Sequence, residues 1–321
     1  MFKYIGSIAK FNRLFFKVFS MIKRLKLTTI ADNLVLRAGL WGQWGLSYLL
    51  ELVDSDGADR KVLFDTSNDL KPFLYNVEKL KLDLSDLDAI VLSHGHSDHT
   101  VATAEAVEMA SGCPVYAHPH CFLPRYYESK TGKRTEGGVP EGETIADIES
   151  VGGTVVLSSK PIEVVPGLWT TGEVPRINDF EKVSRPLDGG RRIIVVDGVE
   201  QDDLILCDQS LWMEVEGEGC WVITGCAHSG PVNTVEHVCN LGGFSEISAY
   251  IGGTHLVARK DDYIMKTARE LEKYNIGLFS PCHCTGFKAM SLLHREFKDR
   301  FAVNYCGRVF KSWEKPSPMV L

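Results

Sequence analysis

The chain has no excess of basic residues. It carries 35 lysines and arginines against 42 aspartates and glutamates, which gives a formal net charge of -7 at pH 7. A general affinity for nucleic acid requires a basic face that displaces counterions, so we expect no nucleic-acid partner. A small anionic substrate stays open, because a local basic patch is enough to hold one.

Two further features are missing. There is no Gly-x-Ser-x-Gly, so we do not expect the serine nucleophile of an α/β-hydrolase. The nine cysteines are an odd number without the regular spacing of a secreted disulfide framework. Cys282 and Cys284 also flank His283 too closely for a CxxC zinc knuckle. We therefore expect reduced, mostly buried thiols and a cytoplasmic protein.

The first 26 residues contain no acidic side chain, and their uncharged stretches are too short for a membrane span or a signal-peptide core. Residues 1–26 are predicted to form a basic amphipathic extension. Such a segment either lies on a membrane surface, as a peripheral contact, or packs on the domain that follows. Residues 27–321 are predicted to form one domain.

The remaining chain alternates apolar runs with helical periodicity. It begins β-rich, passes through a βα unit, returns to hairpins and ends in a βαβα pattern. Hydrophobic residues make up 44% of the chain, enough for a sizeable core. We predict an α/β (α+β) protein of two facing sheets with helices outside, an αββα sandwich. Residues 125–148 are polar with little periodicity and are predicted to be a surface insertion or lid.

The stretch "AIVLSHGHSDHT", residues 89–100, places three histidines and an aspartate directly after an apolar run. Imidazoles and a carboxylate suit divalent metals such as zinc, manganese or iron, whereas a polar loop has no need of this set. In a turn after a strand, alternate residues point the same way. His94 and His96 are therefore predicted to hold one metal, while Asp98 and His99 turn toward a second.

This HxHxDH motif, with an upstream strand that ends in Asp65, resembles the metallo-β-lactamase superfamily. The resemblance covers roughly residues 28–310 and implies the αββα fold, with metals where the two sheets meet. Further local motifs resemble one subgroup, which contains archaeal dihydropterin ribofuranosylaminobenzene-phosphate synthases and metal-dependent hydrolases. These motifs are "ADN" (31–33), "GLS" (45–47), "GEVPR" (172–176), "GCAHSGPVNTV" (225–235), "IGGTHL" (251–256) and "PCHCTG" (281–286).

The resemblance implies further ligands at later strand ends. We expect His228 to join His94 and His96, and His283 to join Asp98 and His99. His255 either binds a metal or contacts substrate. "TGC" stands where the family has Gly-Asp, so Cys226 either replaces the bridging carboxylate or is a packed thiol. Two other roles are predicted for aspartates: Asp208 is the fallback bridge, and Asp65 holds the histidine loop by hydrogen bonds.

The function implied is hydrolysis of an ester or phosphoester in a small, anionic molecule. Two divalent ions, zinc first and manganese or iron as alternatives, would share a bridging hydroxide. Asp98 and His255 are the candidate catalytic residues. The candidate substrate-binding residues are Arg176 with its neighbour Glu173, then Asn33 and Thr285.

Two alternatives remain open. One is a transferase that joins a dihydropterin diphosphate to an arylamine ribofuranosyl phosphate, with the metals binding the diphosphate. The other is a metal or redox protein without hydrolytic turnover. Cleavage of β-lactams is not expected, because a shared fold does not fix a substrate. The sequence predicts no oligomeric state.

Overall fold

The computed structural model describes residues 20–183, 186 and 189–315. The strands are β1 (Arg24–Ala31), β2 (Ser47–Val53), β3 (Asp59–Phe64), β4 (Ala89–Val91), β5 (Pro114–Ala117), β6 (Arg125–Glu128), β7 (Arg134–Glu136), β8 (Thr154–Leu157), β9 (Glu163–Val165), β10 (Leu168–Thr170), β11 (Arg191–Val196), β12 (Val199–Asp202), β13 (Ser210–Val215), β14 (Gly219–Thr224), β15 (Ala249–Gly253), β16 (Leu278–Cys282) and β17 (Val309–Lys311). The helices are α1 (Leu70–Leu80), α2 (Thr103–Met109), α3 (Ile145–Ser150), α4 (Pro231–Gly242), α5 (Asp261–Glu272) and α6 (Phe287–Phe297), with short 3-10 turns at Ser97–His99, His283–Thr285 and Lys298–Arg300.

Two sheets face each other across the main core. The first has the strand order β17-β1-β2-β3-β4-β5-β8, and the second has the order β16-β15-β14-β13-β10-β9. Side chains alternate across each strand, so Tyr48 and Leu50 of β2 face the second sheet while Leu49 faces outward. All three are buried, because helices cover the outer face as well.

The helices form the two outer layers. Helices α1, α2 and α3 pack on the first sheet through residues such as Phe73, Ala106 and Ile148. Helices α4, α5 and α6 pack on the second sheet through residues such as Val235 and Leu271. The predicted αββα sandwich is therefore confirmed.

Helix α1 was not among the predicted elements, although the sequence carries its signals. Asp69 caps the helix by accepting a hydrogen bond from the Lys71 backbone nitrogen at 2.9 Å. Phe73 and Val77, four residues apart, bury one face against the first sheet. Lys81 ends the helix in the left-handed conformation, with φ of 55°.

The domain begins earlier than the predicted boundary at residue 27. Ile22 is fully buried between the sheets, and its backbone nitrogen donates to the Glu214 oxygen at 2.8 Å. Strand β1 already starts at Arg24, and Lys26 pairs with Glu51 at 2.6 Å. Ile22 and Arg24–Lys26, predicted as part of the extension, thus belong to the domain, and residues 1–19, where most of the predicted extension falls, lie outside the described residues. Within the described part of the chain, no helix combines the length and apolar character needed to cross a bilayer.

The segment 125–148 is more ordered than a loop. Strands β6 and β7 form a hairpin that pairs with a second hairpin, β11 and β12, in a separate sheet with the order β12-β11-β6-β7. This four-stranded cap sheet joins parts of the chain more than 50 residues apart. The buried apolar side chains of this sheet include Ile193 and Ile194 of the partner strand β11. They lie outside residues 125–148, so the polar sequence of the insertion alone did not predict a sheet.

Candidate metal centre

The histidine motif forms a tight turn beyond β4. The Nε2 atom of His94 lies 2.9 Å from the Nδ1 atom of His96, so both rings face one point. Gly95, between them, permits a very close approach of the neighbouring loop. A Cβ at this position would lie 1.9 Å from the backbone oxygen of Cys121 and 2.6 Å from Nη1 of Arg125. The turn therefore packs tightly against residues 121–125, the segment that leads into the cap sheet.

His228 completes the first donor group. It follows β14, and its Nε2 atom lies 3.2 Å from Nε2 of His94. The loop that carries it is held by buried Asp208, whose carboxylate accepts a hydrogen bond from the Ser229 backbone nitrogen at 2.8 Å. Asp208 belongs to none of the donor groups found among the described residues, so it supports the His228 loop instead of bridging metals.

Asp98, His99 and His283 form the second donor group. An oxygen of Asp98 lies 3.8 Å from Nε2 of His99 and 3.4 Å from Nε2 of His283. Each histidine is oriented through its other nitrogen. Nδ1 of His99 lies 2.6 Å from Asp65, and Nδ1 of His283 lies 3.0 Å from Oδ1 of Asn33.

Cys226 lies between the two groups. Its Sγ atom is 3.3 Å from Nε2 of His99. It also forms a cluster with His94 and His99, another with His228 and His255, and a third with His283 and Cys284, in which the donor atoms lie within 4.8 Å of one another. No other residue is shared by three of the donor groups in the described part of the chain. Cys226 therefore lies within reach of donor atoms from both groups.

The donor atoms fit divalent metals. Burial holds the pKa of His94 and of His228 well below the ordinary histidine value, and burial lowers that of His96 to about 4. These three rings are therefore neutral, with ring nitrogens that converge 2.9–3.2 Å apart. The buried Nε2 atom of His283 has no hydrogen-bond partner among the described residues. Neutral imidazoles that converge on one point, together with a His283 nitrogen that has an Asp98 oxygen 3.4 Å away, form a donor set that suits a divalent ion.

The second group carries more charge. Burial raises the pKa of Asp98, but His99 and His283 outweigh it and hold that pKa below the ordinary value. Burial lowers the pKa of His99, yet the charges of Asp65 and Asp98 raise it to about 9. In the metal-free protein at neutral pH, His99 is therefore protonated, and its proton must leave before the ring can bind a metal.

Backbone strain concentrates at this centre. Four of its non-glycine residues have a positive φ near 50–60°: Asp65, Ala227, His255 and His283. The left-handed region is costly for residues with a Cβ, and such conformations persist where the surrounding structure enforces them. The loops that follow β3, β14, β15 and β16 are all held in this way.

A cavity of about 410 Å³ opens above the donor atoms. Its floor includes His96, Asp98, Cys226, His228 and His255. Its walls come from the cap sheet and from one loop of the first sheet, with Trp44, Tyr126, Tyr127 and Arg192 among the lining residues. These walls present aromatic surface and a guanidinium group to the cavity.

The predicted substrate contacts from "GEVPR" are not placed at this cavity. Arg176 donates to the backbone oxygen of Leu204 at 2.7 Å, and Glu173 lies 3.5 Å from Nε2 of His118. Neither side chain is among the described residues that line the cavity. Arg176 thus holds the backbone at residues 204–205, and Glu173 faces His118 beyond β5.

Asn33 and Thr285 also have structural partners. The amide of Asn33 donates to the His283 backbone oxygen at 3.1 Å while its oxygen faces the ring, so it clamps a predicted ligand. Thr285 is fully buried and accepts a hydrogen bond from Thr254 at 2.9 Å. The prediction that they bind substrate is not supported by these contacts.

Asp65 and His255 both contact histidines of the centre. Asp65 accepts hydrogen bonds from the backbone nitrogen and hydroxyl of Ser93, both at 2.7 Å, and so fixes the start of the turn and His99 together. The His255 ring lies 4.2 Å from that of His228, centroid to centroid. Its Nδ1 atom has no hydrogen-bond partner in the described part of the chain.

Sequence reasoning missed three residues of the site. Trp44 is 49% exposed and its ring lies 5.3 Å from that of His283. Arg192 lines the cavity from β11, and Cys284 joins a donor group. Trp44 and Cys284 each stood next to or within a motif already quoted, whereas Arg192 carried no local signal.

Comparisons with known proteins bear on this centre. A family profile for the β-lactamase superfamily domain matches residues 60–148, which include the histidine turn. The 7,8-dihydropterin-6-methyl-4-(β-D-ribofuranosyl)-aminobenzene-5′-phosphate synthase of Methanocaldococcus jannaschii is 33% identical over 306 residues, 90% of this chain and 97% of its own. An uncharacterised protein of the same archaeon is 29% identical over 287 residues, 87% of this chain and 97% of its own. A solved metal-dependent hydrolase of the β-lactamase superfamily has a TM-score of 0.72 at 24% identity, covering 89% of this chain and 98% of its own.

Proposed function

The chain belongs to the metallo-β-lactamase superfamily, and on that premise we propose that it is a two-metal hydrolase of an ester or phosphoester bond in a small anionic molecule. The observation that carries the proposal is the pair of three-donor groups joined by Cys226 on the floor of one cavity. Paired sites of this kind serve hydrolysis at both carbonyl and phosphoryl centres.

The residues that would hold the metals divide as the geometry groups them. His94, His96 and His228 would hold the first ion; Asp98, His99 and His283 would hold the second, with Cys226 shared. When bound, two divalent ions supply Lewis acidity, which lowers the pKa of water toward about 7 and polarises the substrate oxygen. The mixture of imidazole, carboxylate and sulfur donors favours zinc, with iron next.

Two side chains have roles in the chemistry itself. Asp98 stays ionised and is 17% exposed toward the cavity, so it accepts a hydrogen bond from the attacking water and orients it. His255 lines the same cavity, and its Nδ1 atom is without a hydrogen-bond partner among the described residues. From that position it donates a proton to the leaving group.

The cavity walls indicate the substrate class. Arg192, half-buried on β11, provides positive charge at the wall, and its neighbour across the sheet is Tyr127. Trp44 and Tyr126 add aromatic surface. We propose that the substrate is anionic and carries a flat ring, since stacking and charge then act together.

The hydrolase is tested with zinc-loaded protein and an aryl phosphodiester. His96→Ala should lose bound metal and at least about 100-fold in kcat/KM together, because one of three donors of the first group is removed. The matched control is His294→Ala, an exposed histidine on α6 that should keep both. Activity that survives in metal-free His96→Ala would overturn the mechanism.

A second candidate is a transferase that joins a dihydropterin to an arylamine, and the 33% identity to the Methanocaldococcus synthase over 97% of its length favours it. The same metal-loaded protein is given a dihydropterin diphosphate with an arylamine ribofuranosyl phosphate. A coupled product without release of hydrolysed pterin would replace the hydrolase with the transferase. An iron-loaded, coloured protein inactive in both assays would favour the redox alternative.

We further propose a cytoplasmic location. All nine cysteines are free and buried, which is typical of proteins that fold in a reducing compartment. Fractionation of the native host, with a cytoplasmic and a membrane marker, tests this directly.

A further inference from the structure

A second cysteine reaches the metal centre beside Cys226. Cys284 lies in the 3-10 turn after β16, is 2% exposed, and lines the cavity. Its Sγ atom, that of Cys226 and a ring nitrogen of His283 lie within 4.8 Å of one another. A Cβ on Gly253 would lie 2.7 Å from this sulfur, so the strand below leaves room for it.

The hydrogen bonds around this sulfur suit a ligand. The His255 backbone nitrogen donates to Sγ of Cys284 at 3.3 Å, an interaction that stabilises negative charge on sulfur. In its thiol form the same atom donates to the Cys226 backbone oxygen at 3.5 Å. The adjacent Nε2 atom of His283 is buried, makes no hydrogen bond within the described part of the chain and lies 3.4 Å from an oxygen of Asp98, so it is open to a metal ion independently of either cysteine.

Cys282, two residues earlier, shows the contrast. It packs in the core between the sheets, and its Sγ atom lies 3.0 Å from the hydroxyl of Tyr48. It belongs to no donor group among the described residues. The two cysteines that flank His283 therefore face different environments, and only Cys284 faces the metal centre.

We propose that Cys284 is a second sulfur ligand of the metal centre, so that the centre selects zinc or another thiophilic divalent ion over manganese or magnesium. The inference rests on the proposed two-metal site. Thiolates are soft ligands that bind zinc, cadmium and cobalt well, whereas manganese and magnesium prefer oxygen donors. A centre with two sulfurs thus has a narrower metal preference than one built from histidines and carboxylates alone.

The test replaces zinc with cobalt(II), whose bonds to thiolate produce a strong near-ultraviolet absorption band. Cys284→Ala should lower this band by roughly a third to a half, according to whether Cys226 bonds one ion or both, and Cys226→Ala/Cys284→Ala should abolish it. Cys282→Ala is the matched control and should keep the full band. In parallel, the Kd for zinc should rise at least about tenfold in Cys284→Ala while the Kd for manganese stays nearly unchanged.

A measurement on the unaltered protein covers the case in which a variant fails to fold. X-ray absorption at the zinc edge should show a sulfur shell at about 2.3 Å that averages more than one sulfur per zinc ion, because a single bridging cysteine already gives one. A full cobalt band in folded Cys284→Ala, or no sulfur beyond a single bridging cysteine, would overturn the proposal. These readouts need no substrate, so failure of the hydrolase assay leaves them intact, and their failure leaves the hydrolase standing.

Discussion

Replacing Arg125 with methionine should damage stability and metal binding together. The guanidinium is 3% exposed at the start of β6, beneath the histidine turn. It forms an ion pair with Asp203 at 2.9 Å and donates to the backbone oxygens of His120 at 2.6 Å and Cys121 at 2.9 Å. The arginine also packs against the histidine turn at Gly95, where an added Cβ would lie 2.6 Å from Nη1 of Arg125.

The magnitude follows from burial. Asp203 is 5% exposed, so loss of its partner leaves a carboxylate that is neither solvated nor paired. Breaking a buried ion pair by removing one partner costs about 3–5 kcal/mol, and we expect this loss in the unfolding free energy of Arg125→Met. Because the carbonyls released by Arg125 belong to the segment that supports the histidine turn, zinc affinity should also fall about 10- to 100-fold.

Urea unfolding of the metal-free protein at pH 7.5 measures the first quantity, and chelator competition measures the second. Asp203→Asn and the double variant Arg125→Met/Asp203→Asn complete a cycle. The double variant should lose less unfolding free energy than the sum of the losses in the two single variants, because it no longer buries a lone charge. A loss below about 1 kcal/mol in Arg125→Met, or strict additivity in the cycle, would refute the reasoning.

Three further predictions concern other parts of the molecule. Gly95→Ala should abolish tight metal binding, because its Cβ would lie 1.9 Å from a backbone oxygen, while Gly137→Ala, with nothing within 4 Å, should bind normally in the same chelator assay. The metal-free protein holds His99 with a pKa of about 9, so zinc binding at pH 7.5 should still release about one proton from Cys226→Ala/Cys284→Ala, in which no cysteine ligand remains to lose one, measured by calorimetry in two buffers of different ionisation enthalpy; no buffer dependence in that variant would contradict this. Burial raises the pKa of Glu181 from 4.5 to about 7, so its contribution to stability is complete below pH 4.5 and is lost as pH rises through 7. Relative to Glu181→Gln, the metal-free protein should therefore lose up to about 3 kcal/mol of unfolding free energy over that range, and parallel pH profiles for the two proteins would contradict the assignment.

The residues of the centre that the sequence predicted are either contiguous in the chain or directly follow an apolar run. His94, His96, Asp98 and His99 occupy one turn, so their joint position needs no knowledge of the fold. His228 and His283 follow apolar runs that became β14 and β16, and the carboxyl ends of neighbouring parallel strands meet at one edge. This rule predicts that His228 and His283 come near the turn, whereas their allocation to two groups followed from the resemblance to the family.

The substrate contacts were harder, because a short polar motif does not encode the direction of its side chains. Arg176 belongs to a motif typical of the subgroup, yet its guanidinium donates hydrogen bonds to the backbone oxygens of Leu204 and Ile205. Arg192 and Tyr127 reach the cavity only because β11 pairs with β6, in a register set by residues 65 positions apart in the chain. Pairing of this kind depends on the whole fold and leaves no local trace.

The cap sheet connects substrate recognition to the metal turn through a single strand. Arg125, the first residue of β6, is held under the turn and also lines the cavity, as do the next two residues, Tyr126 and Tyr127. A substitution of either tyrosine should therefore change KM and leave the metal in place, whereas a substitution of Arg125 should shift both at once. If the wall and the turn were independent, Arg125→Met would weaken zinc binding without altering KM in fully loaded enzyme. Measurement of KM for the zinc-saturated variant separates these cases, because Arg125 is 3% exposed and a change in KM then reports mainly how β6 is anchored.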